Sequence, residues 1–121
     1  MDKILKQSLL YDFYGELLTS HQKEIYEDFV LNDLSLSEVA ESHQISRQGV
    51  HDVVKRCSKQ LEEYESKLHL VERFLKIQKK VEEMEEAADR MEEEADRGDL
   101  NTIKQEVGKI RTLSQEILDE L

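Results

Sequence analysis

Apolar residues recur at three- and four-residue steps from the beginning of the chain, and this spacing places them on one face of an α-helix. Between Asp2 and Leu18 the stripe is wide and rich in leucine and aromatic side chains. Its members are Leu5, Leu9, Leu10, Phe13, Tyr14, Leu17 and Leu18. The pattern predicts a first helix over these residues, whose broad apolar face other parts of the chain must cover.

Two residue pairs mark the starts of the next helices. Thr19 is followed three residues later by Gln22, and Ser35 is followed three residues later by Glu38. Both pairs have the spacing of a capping box, in which each side chain bonds to the other residue's backbone amide. The first pair predicts a second helix ending near Asn32, and the second pair predicts the start of a third helix.

The apolar residues from Cys57 onward follow a period of seven, which is typical of helices that pack side by side. The first series consists of Cys57, Leu61, Tyr64, Leu68, Val71 and Leu75. A second series has a shifted phase and consists of Phe74, Ile77, Val81, Met84, Ala88, Met91 and Ala95. The slip between the two series, at residues 71–75, predicts either a local overwinding or a helix break.

A turn and one more helix are predicted beyond the second series. Gly98 suits the left-handed position that ends a helix, and Asp99 suits the cap of the next one. The following apolar stripe consists of Leu100, Ile103, Val107, Ile110, Leu113, Ile117 and Leu121. Two stripes joined by a tight turn favour an antiparallel helical hairpin.

The composition is that of an all-α protein. Charged residues make up 37% of the 121 residues, proline is absent, and every aromatic residue lies at or before Phe74. The change from an aromatic-rich core to a Met, Ala, Val and Leu core indicates a domain boundary. We therefore expect a helical domain over residues 1–75 and an acidic helical hairpin or coiled-coil extension over residues 76–121.

The segment from Ser35 to Lys55 has the pattern of a helix-turn-helix like that of bacterial sigma-factor region 4. This motif needs apolar anchors where its two helices cross and a small residue where their backbones approach. Ser46 is the expected cap of the second helix, after a turn of about three residues. The small residue is Ala40, and the anchors are Val39, Ile45, Val50 and Val53. We expect this motif, over residues 35–57, to be the functional part of the first domain.

The second helix of the motif separates into two halves when its residues are placed at about 100° each. The apolar half contains Gly49, Val50, Val53, Val54 and Cys57. The polar half, which is the predicted recognition face, contains Arg47, Gln48, His51, Asp52 and Lys55.

The polar half offers donors that match the acceptors of nucleic acid. Arg47 suits a guanine edge or a phosphate, and Gln48 suits adenine. Ser46 and the exposed amides beside it suit a phosphate. His51 shares the recognition face, and Lys55 with Arg56 suits the phosphate backbone. The predicted nucleic-acid-binding residues are therefore Ser46, Arg47, Gln48, His51, Lys55 and Arg56.

Charge limits this hypothesis. The formal net charge is −11, and only residues 35–60 are net positive, with four basic and three acidic residues. Asp52 adds a carboxylate to the recognition face, so we expect weak DNA binding with a steep dependence on salt. Gln44 also stands where glycine is common in the turn, and His43 where a large apolar residue is common. The alternative is that the two helices only pack together and their outer face is solvated.

Other kinds of chemistry find no support in the sequence. Cys57 is the sole cysteine and lies on an apolar half-helix, which indicates a buried, inert thiol and excludes an internal disulfide. The four histidines fall on separate predicted elements without ligand spacing, so no metal site and no cofactor are expected. No catalytic constellation is visible, so we expect no enzyme activity. Without a signal-peptide pattern or an apolar span, a cytoplasmic protein without membrane insertion is expected.

The chain resembles the YlxM family of small bacterial proteins associated with the signal recognition particle. The resemblance covers about residues 8 to 77. It is carried by Phe13-Tyr14-Gly15-Glu16-Leu17-Leu18-Thr19, by Ser35 to Ala40, by Ile45-Ser46-Arg47-Gln48-Gly49-Val50-His51-Asp52 and by Tyr64-Glu65-Ser66-Lys67-Leu68-His69. It implies a sigma-region-4-like fold, a DNA-binding regulatory role and a part in the signal recognition particle pathway.

Three functions follow as hypotheses. The first is a DNA-binding regulator, and the second is an adaptor that binds the particle's GTPase or its RNA instead of DNA. The third is a structural oligomerisation module. We also expect a homo-oligomer, most simply a dimer, because apolar stripes of this length are hard to cover within so short a chain.

Overall fold

The computed structural model describes residues 2–121, and in this range it contains helices and no strand. The all-α fold predicted from the sequence is confirmed. A 3₁₀ turn at Gly15–Leu17 follows the first α-helix, and a π-helical turn at Glu27–Leu31 follows the second. The six α-helices are α1 (Lys3–Tyr14), α2 (Ser20–Tyr26), α3 (Leu36–His43), α4 (Arg47–Leu68), α5 (Leu70–Arg97) and α6 (Leu100–Glu120).

Both predicted capping boxes are formed. The Thr19 hydroxyl accepts from the Gln22 amide at 3.2 Å, and the Gln22 side chain accepts from the Thr19 amide at 3.0 Å. Ser35 and Glu38 make the same reciprocal pair at the start of α3. Each box satisfies amides that a helix start would otherwise leave unpaired.

The first helix ends earlier than its apolar stripe predicts, at Tyr14 instead of Leu18, and Gly15 begins the tighter 3₁₀ turn. The Tyr11 ring stacks on the Tyr26 ring, with centroids 5.5 Å apart, and lies against Gly15. A Cβ at Gly15 would be 2.9 Å from Tyr11 Cε2, which is closer than carbon atoms pack. Gly15 is therefore required by the packing of Tyr11.

The core of the first part of the chain lies under the helix-turn-helix. Ile25, Val39, Ala40 and Val50 form a buried cluster, and the residues packed around it are Phe29, Leu34, Leu36, Ile45, Val53 and Val54. Full burial of one such aliphatic side chain stabilises the fold by roughly 1.5–3 kcal/mol. These contacts join α2, α3 and α4, so they fix how the two helices of the motif cross.

The long helical stretch after the motif is interrupted at His69, whose backbone is left-handed with φ 56°. The break therefore lies just before residues 71–75, where the slip in the apolar period predicts an overwinding or a break. Tyr14 of α1 reaches this point, and its hydroxyl accepts from the Leu70 amide at 3.1 Å. Glu65 Oε1 accepts from the Val71 amide at 3.0 Å. These two side chains cap α5.

The chain forms two compact units, one ending at Val71 and the other running from Glu72 to Leu121. The division falls a few residues before Leu75, the end of the domain expected from the aromatic residues. The first unit contains the helix-turn-helix. The second unit contains α6 and all but the first residues of α5.

The second unit is an antiparallel helical hairpin, as the sequence predicts. Gly98 has φ +76°, and Asp99 caps α6 by accepting from the Thr102 amide at 3.2 Å. Two ion pairs cross between the helices: Arg90 Nε lies 3.1 Å from Glu106 Oε1, and Lys80 Nζ lies 3.5 Å from Glu116 Oε2. In both pairs the residue numbers are equally far from the turn, so they fix an antiparallel register.

The inner face of α5 differs from the stripe expected from the period of seven. Ala87 is fully buried, whereas Ala88 and Ala95 are exposed and Val81 is 41% exposed. The half-buried apolar residues of the expected stripe include Met84 and Met91. Within the second unit, α6 covers only one side of the stripe, and Ala87 lies on the covered side. Among residues 2–121, no helix is both long enough and apolar enough to cross a membrane.

Candidate nucleic-acid interface

The inner half of α4 holds the motif together. Val50 and Cys57 are fully buried, and Val53 and Val54 are half-buried against the core. Burial raises the pKa of the Cys57 thiol, so the thiol stays protonated near neutral pH. The inner residues predicted from the sequence therefore take the places expected of them.

The outer half of α4 is exposed to solvent. All six residues predicted to bind nucleic acid are exposed, namely Ser46, Arg47, Gln48, His51, Lys55 and Arg56. At about 100° per residue, Arg47 and Arg56 lie at the two edges of this half and Lys55 lies between them. The structure thus brings the predicted residues together on one surface, which we call the recognition face.

The start of α4 offers donors as well as a cap. Ser46 Oγ accepts from the Gly49 amide at 2.9 Å, which leaves the hydroxyl proton of Ser46 to be donated elsewhere. A Cβ at Gly49 would be 3.2 Å from this oxygen, so a larger residue there would crowd the cap. The first amides of a helix have no acceptor within the helix. This end of the recognition face is therefore rich in hydrogen-bond donors.

Asp52 is held within the recognition face by its neighbours. Gln48 Nε2 donates to Asp52 Oδ1 at 3.0 Å, and His51 Nδ1 lies 4.0 Å from the same oxygen. The amide that would read adenine is thus already bound to a carboxylate. Gln48 must break this hydrogen bond before it can donate to a base.

Three cations of the recognition face have no acidic partner in the part of the chain that the structure describes. They are Arg47, Lys55 and Arg56. Lys59, which the sequence analysis missed, is exposed and lies one turn beyond Lys55. Lys59 follows Lys55 by four residues, and this spacing, which places both on the same helix face, would have predicted it. Together these cations outnumber the single carboxylate of Asp52.

The turn of the motif accommodates both of its unusual residues. Gln44 adopts the left-handed conformation, with φ 56°, that glycine usually fills. His43 is half-buried, and its Nε2 lies 2.9 Å from Asp28 Oδ2 and its ring meets the His21 ring edge-on. The structure therefore brings together a histidine pair and a carboxylate that the sequence analysis placed apart. Within residues 2–121, however, no group of three side chains suits a metal ion.

The model of one protein family, described as "Putative helix-turn-helix protein, YlxM / p13 like", matches residues 1–103. The chain belongs to this family, UPF0122. The resemblance to the YlxM family inferred from the sequence motifs is thereby confirmed, and the match extends past residue 77 into the acidic hairpin.

UPF0122 proteins of several bacteria are similar to this chain. One from Caldanaerobacter subterraneus subsp. tengcongensis is 52% identical over 83 residues, which cover 69% of this chain and 71% of the relative. One from Staphylococcus epidermidis is 49% identical over 74 residues, which cover 61% of this chain and 67% of the relative. One from Acetivibrio thermocellus is 38% identical over 121 residues, covering 100% of this chain and 97% of the relative. The last comparison includes the whole helical hairpin.

Proposed function

We propose that this UPF0122 protein is a non-catalytic, cytoplasmic regulatory protein that binds duplex DNA with the recognition face of α4. The observation that carries the proposal is the set of exposed cations without acidic partners, Arg47, Lys55 and Arg56, on the outer half of the second helix of a helix-turn-helix. A helix of this kind fits the major groove, where such cations reach phosphates and base edges.

Each residue has a distinct part in the proposed contact. Arg47, near the start of α4, is placed to read a guanine edge or to bind a phosphate. The Ser46 hydroxyl donates to a phosphate, and Lys55 and Arg56 bind the phosphate backbone. Gln48 and His51 lie between these groups and reach base edges. The domain with the motif makes these contacts, and the acidic hairpin, with its excess of carboxylates, contributes none of them.

The proposed affinity is weak and falls steeply with salt. Asp52 repels phosphates from the centre of the recognition face, and the chain as a whole carries a net charge of −11. The few cations available must therefore supply nearly all of the favourable electrostatic free energy. Salt ions compete with each of these contacts.

The test is duplex binding by the Arg47→Ala, Lys55→Ala double variant, measured by fluorescence anisotropy over a series of salt concentrations. Loss of two phosphate contacts should weaken binding and reduce the slope of log affinity against log salt by about 2. The matched control is Lys104→Ala, Arg111→Ala, which removes two exposed cations from α6. Equal affinities for the two double variants would refute the proposal.

A second candidate function is that of an adaptor in the signal recognition particle pathway. The mild charge of the recognition face favours it, because the same cations suit RNA phosphates or an acidic surface of the particle's GTPase as well as DNA. The test is a pull-down with excess protein, followed by identification of both RNA and protein. Recovery of neither the GTPase nor its RNA would count against this function.

The proposal includes two further features. The motif is of the sigma-region-4 type, and the protein self-associates. Val81, Ala88 and Ala95 are exposed on α5 and recur every seven residues, which favours a coiled-coil dimer or an oligomerisation module. A dimer would present two recognition helices to neighbouring half-sites. Sedimentation over a concentration series distinguishes a monomer from a dimer.

A further inference from the structure

A groove of about 850 Å³ lies beside the recognition face. It is bounded by the first turns of α1, by the π-helical turn and by one side of α4. All of its lining residues belong to the first compact unit. The groove therefore belongs to the domain that carries the motif.

The floor of the groove is apolar. Leu10 and Tyr26 are buried beneath it, and Phe29, Val30 and Val54 are half-buried along it. A groove floor of this kind offers contact area and few hydrogen bonds, so it suits a ligand with an apolar face.

The rim combines one large apolar residue with charged residues, among which lysines outnumber carboxylates. Ile4 is 65% exposed at the edge of the groove. Lys3 and Lys55 are exposed there and have no acidic partner among the residues that the structure describes. Lys6, in contrast, already pairs with Glu62, at 3.4 Å. Asp33 also lines the groove and has no basic partner among the residues that the structure describes, so the two unpaired lysines leave a net positive charge on the rim.

We propose that this groove binds an acidic amphipathic helix of a partner protein. The apolar face of such a helix would cover Ile4 and Phe29, and its carboxylates would meet Lys3 and Lys55. An amphipathic helix in a groove is a recurrent mode of protein recognition. Nucleic acid fits this site less well because the floor is mainly apolar, and a basic helix fits less well because Lys3 and Lys55 outnumber the unpaired Asp33.

The groove and the recognition face share two residues, His51 and Lys55. A helix that fills the groove would cover both of them. If the recognition face binds DNA as proposed, the partner helix and the duplex must therefore compete. The binding of the helix itself does not depend on the proposed function.

The test is a titration of the full chain, labelled with ¹⁵N, with a synthetic helix that has leucine at i, i+3, i+4 and i+7 and glutamate elsewhere. The expected result is a set of amide shifts confined to the groove, including Ile4, Phe29 and Val54. A matched helix with lysine in place of glutamate should cause much smaller shifts. Equal shifts with both helices, or shifts outside the groove, would overturn the proposal.

Two exposed residues of α1 provide matched variants. Ile4 lines the groove and is 65% exposed, whereas Leu5 does not line it and is 52% exposed. Ile4→Asp should weaken binding of the glutamate helix by about tenfold or more, because it removes an apolar contact that the bound helix would bury. Leu5→Asp should leave the affinity unchanged. Equal affinities would contradict the proposal.

A charge-reversal variant keeps the test decisive if Ile4→Asp does not fold. Lys3→Glu, Lys55→Glu should reverse the preference, so that the lysine helix binds better than the glutamate helix. An unchanged preference for the glutamate helix would argue against the proposal. A second copy of this chain found in the groove would also argue against it. Competition with duplex DNA is measured separately, so absence of DNA binding would affect only the proposed function.

Discussion

Tyr14 and Glu65 are 51 positions apart in the sequence, and the Tyr14 hydroxyl donates to Glu65 Oε1 at 2.6 Å. The same two side chains accept hydrogen bonds from the first amides of α5, Leu70 N to Tyr14 and Val71 N to Glu65. A helix start usually receives such bonds from a neighbouring serine, threonine or aspartate. Here α1 provides one of these bonds through the buried phenol of Tyr14, and α4 provides the other through Glu65.

Tyr14→Phe should destabilise the fold. It removes the donor to Glu65 and the acceptor for the Leu70 amide, and a buried polar group left without its partner costs about 1–3 kcal/mol. The free energy of unfolding is measured with urea at neutral pH. Tyr64→Phe is the control, because the Tyr64 ring packs at 6.0 Å from that of Tyr14 and its hydroxyl makes no comparable bond. A smaller loss for Tyr14→Phe than for the control would contradict the capping role.

Alkaline pH should reduce the difference in unfolding free energy between the wild type and Tyr14→Phe. Burial, followed by the hydrogen bond to Glu65, raises the pKa of Tyr14 above its ordinary value of 10.0. In the unfolded chain the phenol ionises near pH 10, while the folded chain still holds the proton, so the stabilisation is complete below that pH and declines above it. The gap in unfolding free energy between the wild type and Tyr14→Phe should therefore narrow as the pH rises above 10. A constant gap would show that Tyr14 titrates alike in both states.

Gln44→Gly should stabilise the protein. Gln44 is left-handed, with φ 56° and ψ 42°, and the next amide, of Ile45, bonds to the Ala40 carbonyl at 3.0 Å. A residue with a side chain has a steric cost in this conformation that glycine avoids. Glycine also gives the unfolded chain more freedom, which offsets part of this effect, so the net gain should be about 0.5–1 kcal/mol. Gln78→Gly, in the exposed interior of α5, should instead destabilise by about 1 kcal/mol. Thermal unfolding of both variants measures the contrast.

Asp52→Asn should increase the affinity for DNA. The amide oxygen of asparagine can still accept from Gln48, so the geometry of the recognition face is kept while one negative charge is lost. We expect about a threefold to tenfold gain at low salt, which shrinks as salt is raised. Asp96→Asn, an exposed change on α5, removes the same charge elsewhere. An equal gain from Asp96→Asn would point to net charge and not to the recognition face.

The hairpin register can be tested by exchanging charges. Arg90 bonds to Glu106 across α5 and α6, and this hydrogen bond is the main cause of the lowered pKa of Glu106. Arg90→Glu should lower the melting temperature, and the double variant Arg90→Glu, Glu106→Arg should recover part of the loss. Arg97→Glu is the control, since Arg97 pairs with Glu94 within one helix. Failure of the double variant to recover would place the two residues out of register.

Local features of this chain could be predicted because their causes lie within a few residues. The capping boxes at Thr19 and Ser35 and the turn at Gly98 each depend on neighbouring backbone groups. The inner and outer halves of α4 follow from the helical period alone. The exposure of Arg47 and Lys55 was predictable for the same reason.

Features that depend on contacts between distant parts of the sequence could not be predicted. His43 stands in the turn where a large apolar residue is common, and no pattern in the sequence indicates that Asp28 is its partner. The cap that Tyr14 of the first helix provides after the break at His69 had no local signal either. The burial of Ala87 instead of Ala88 depends on which side of α5 faces α6. The groove has no local signal because the elements that line it are far apart in the sequence.

The π-helical turn at Glu27–Leu31 has a consequence for how this domain tolerates change in length. The Asn32 amide bonds to the Glu27 carbonyl at 2.8 Å, so this turn closes over five residues where an α-turn closes over four. A single insertion can create such a turn, and a single deletion can convert it to a regular one. Phe29 and Val30 lie within this turn and line the groove, so such a deletion would change which side chains the turn presents there. The length of this short segment, more than its composition, therefore sets the shape of the surface beside the recognition helix.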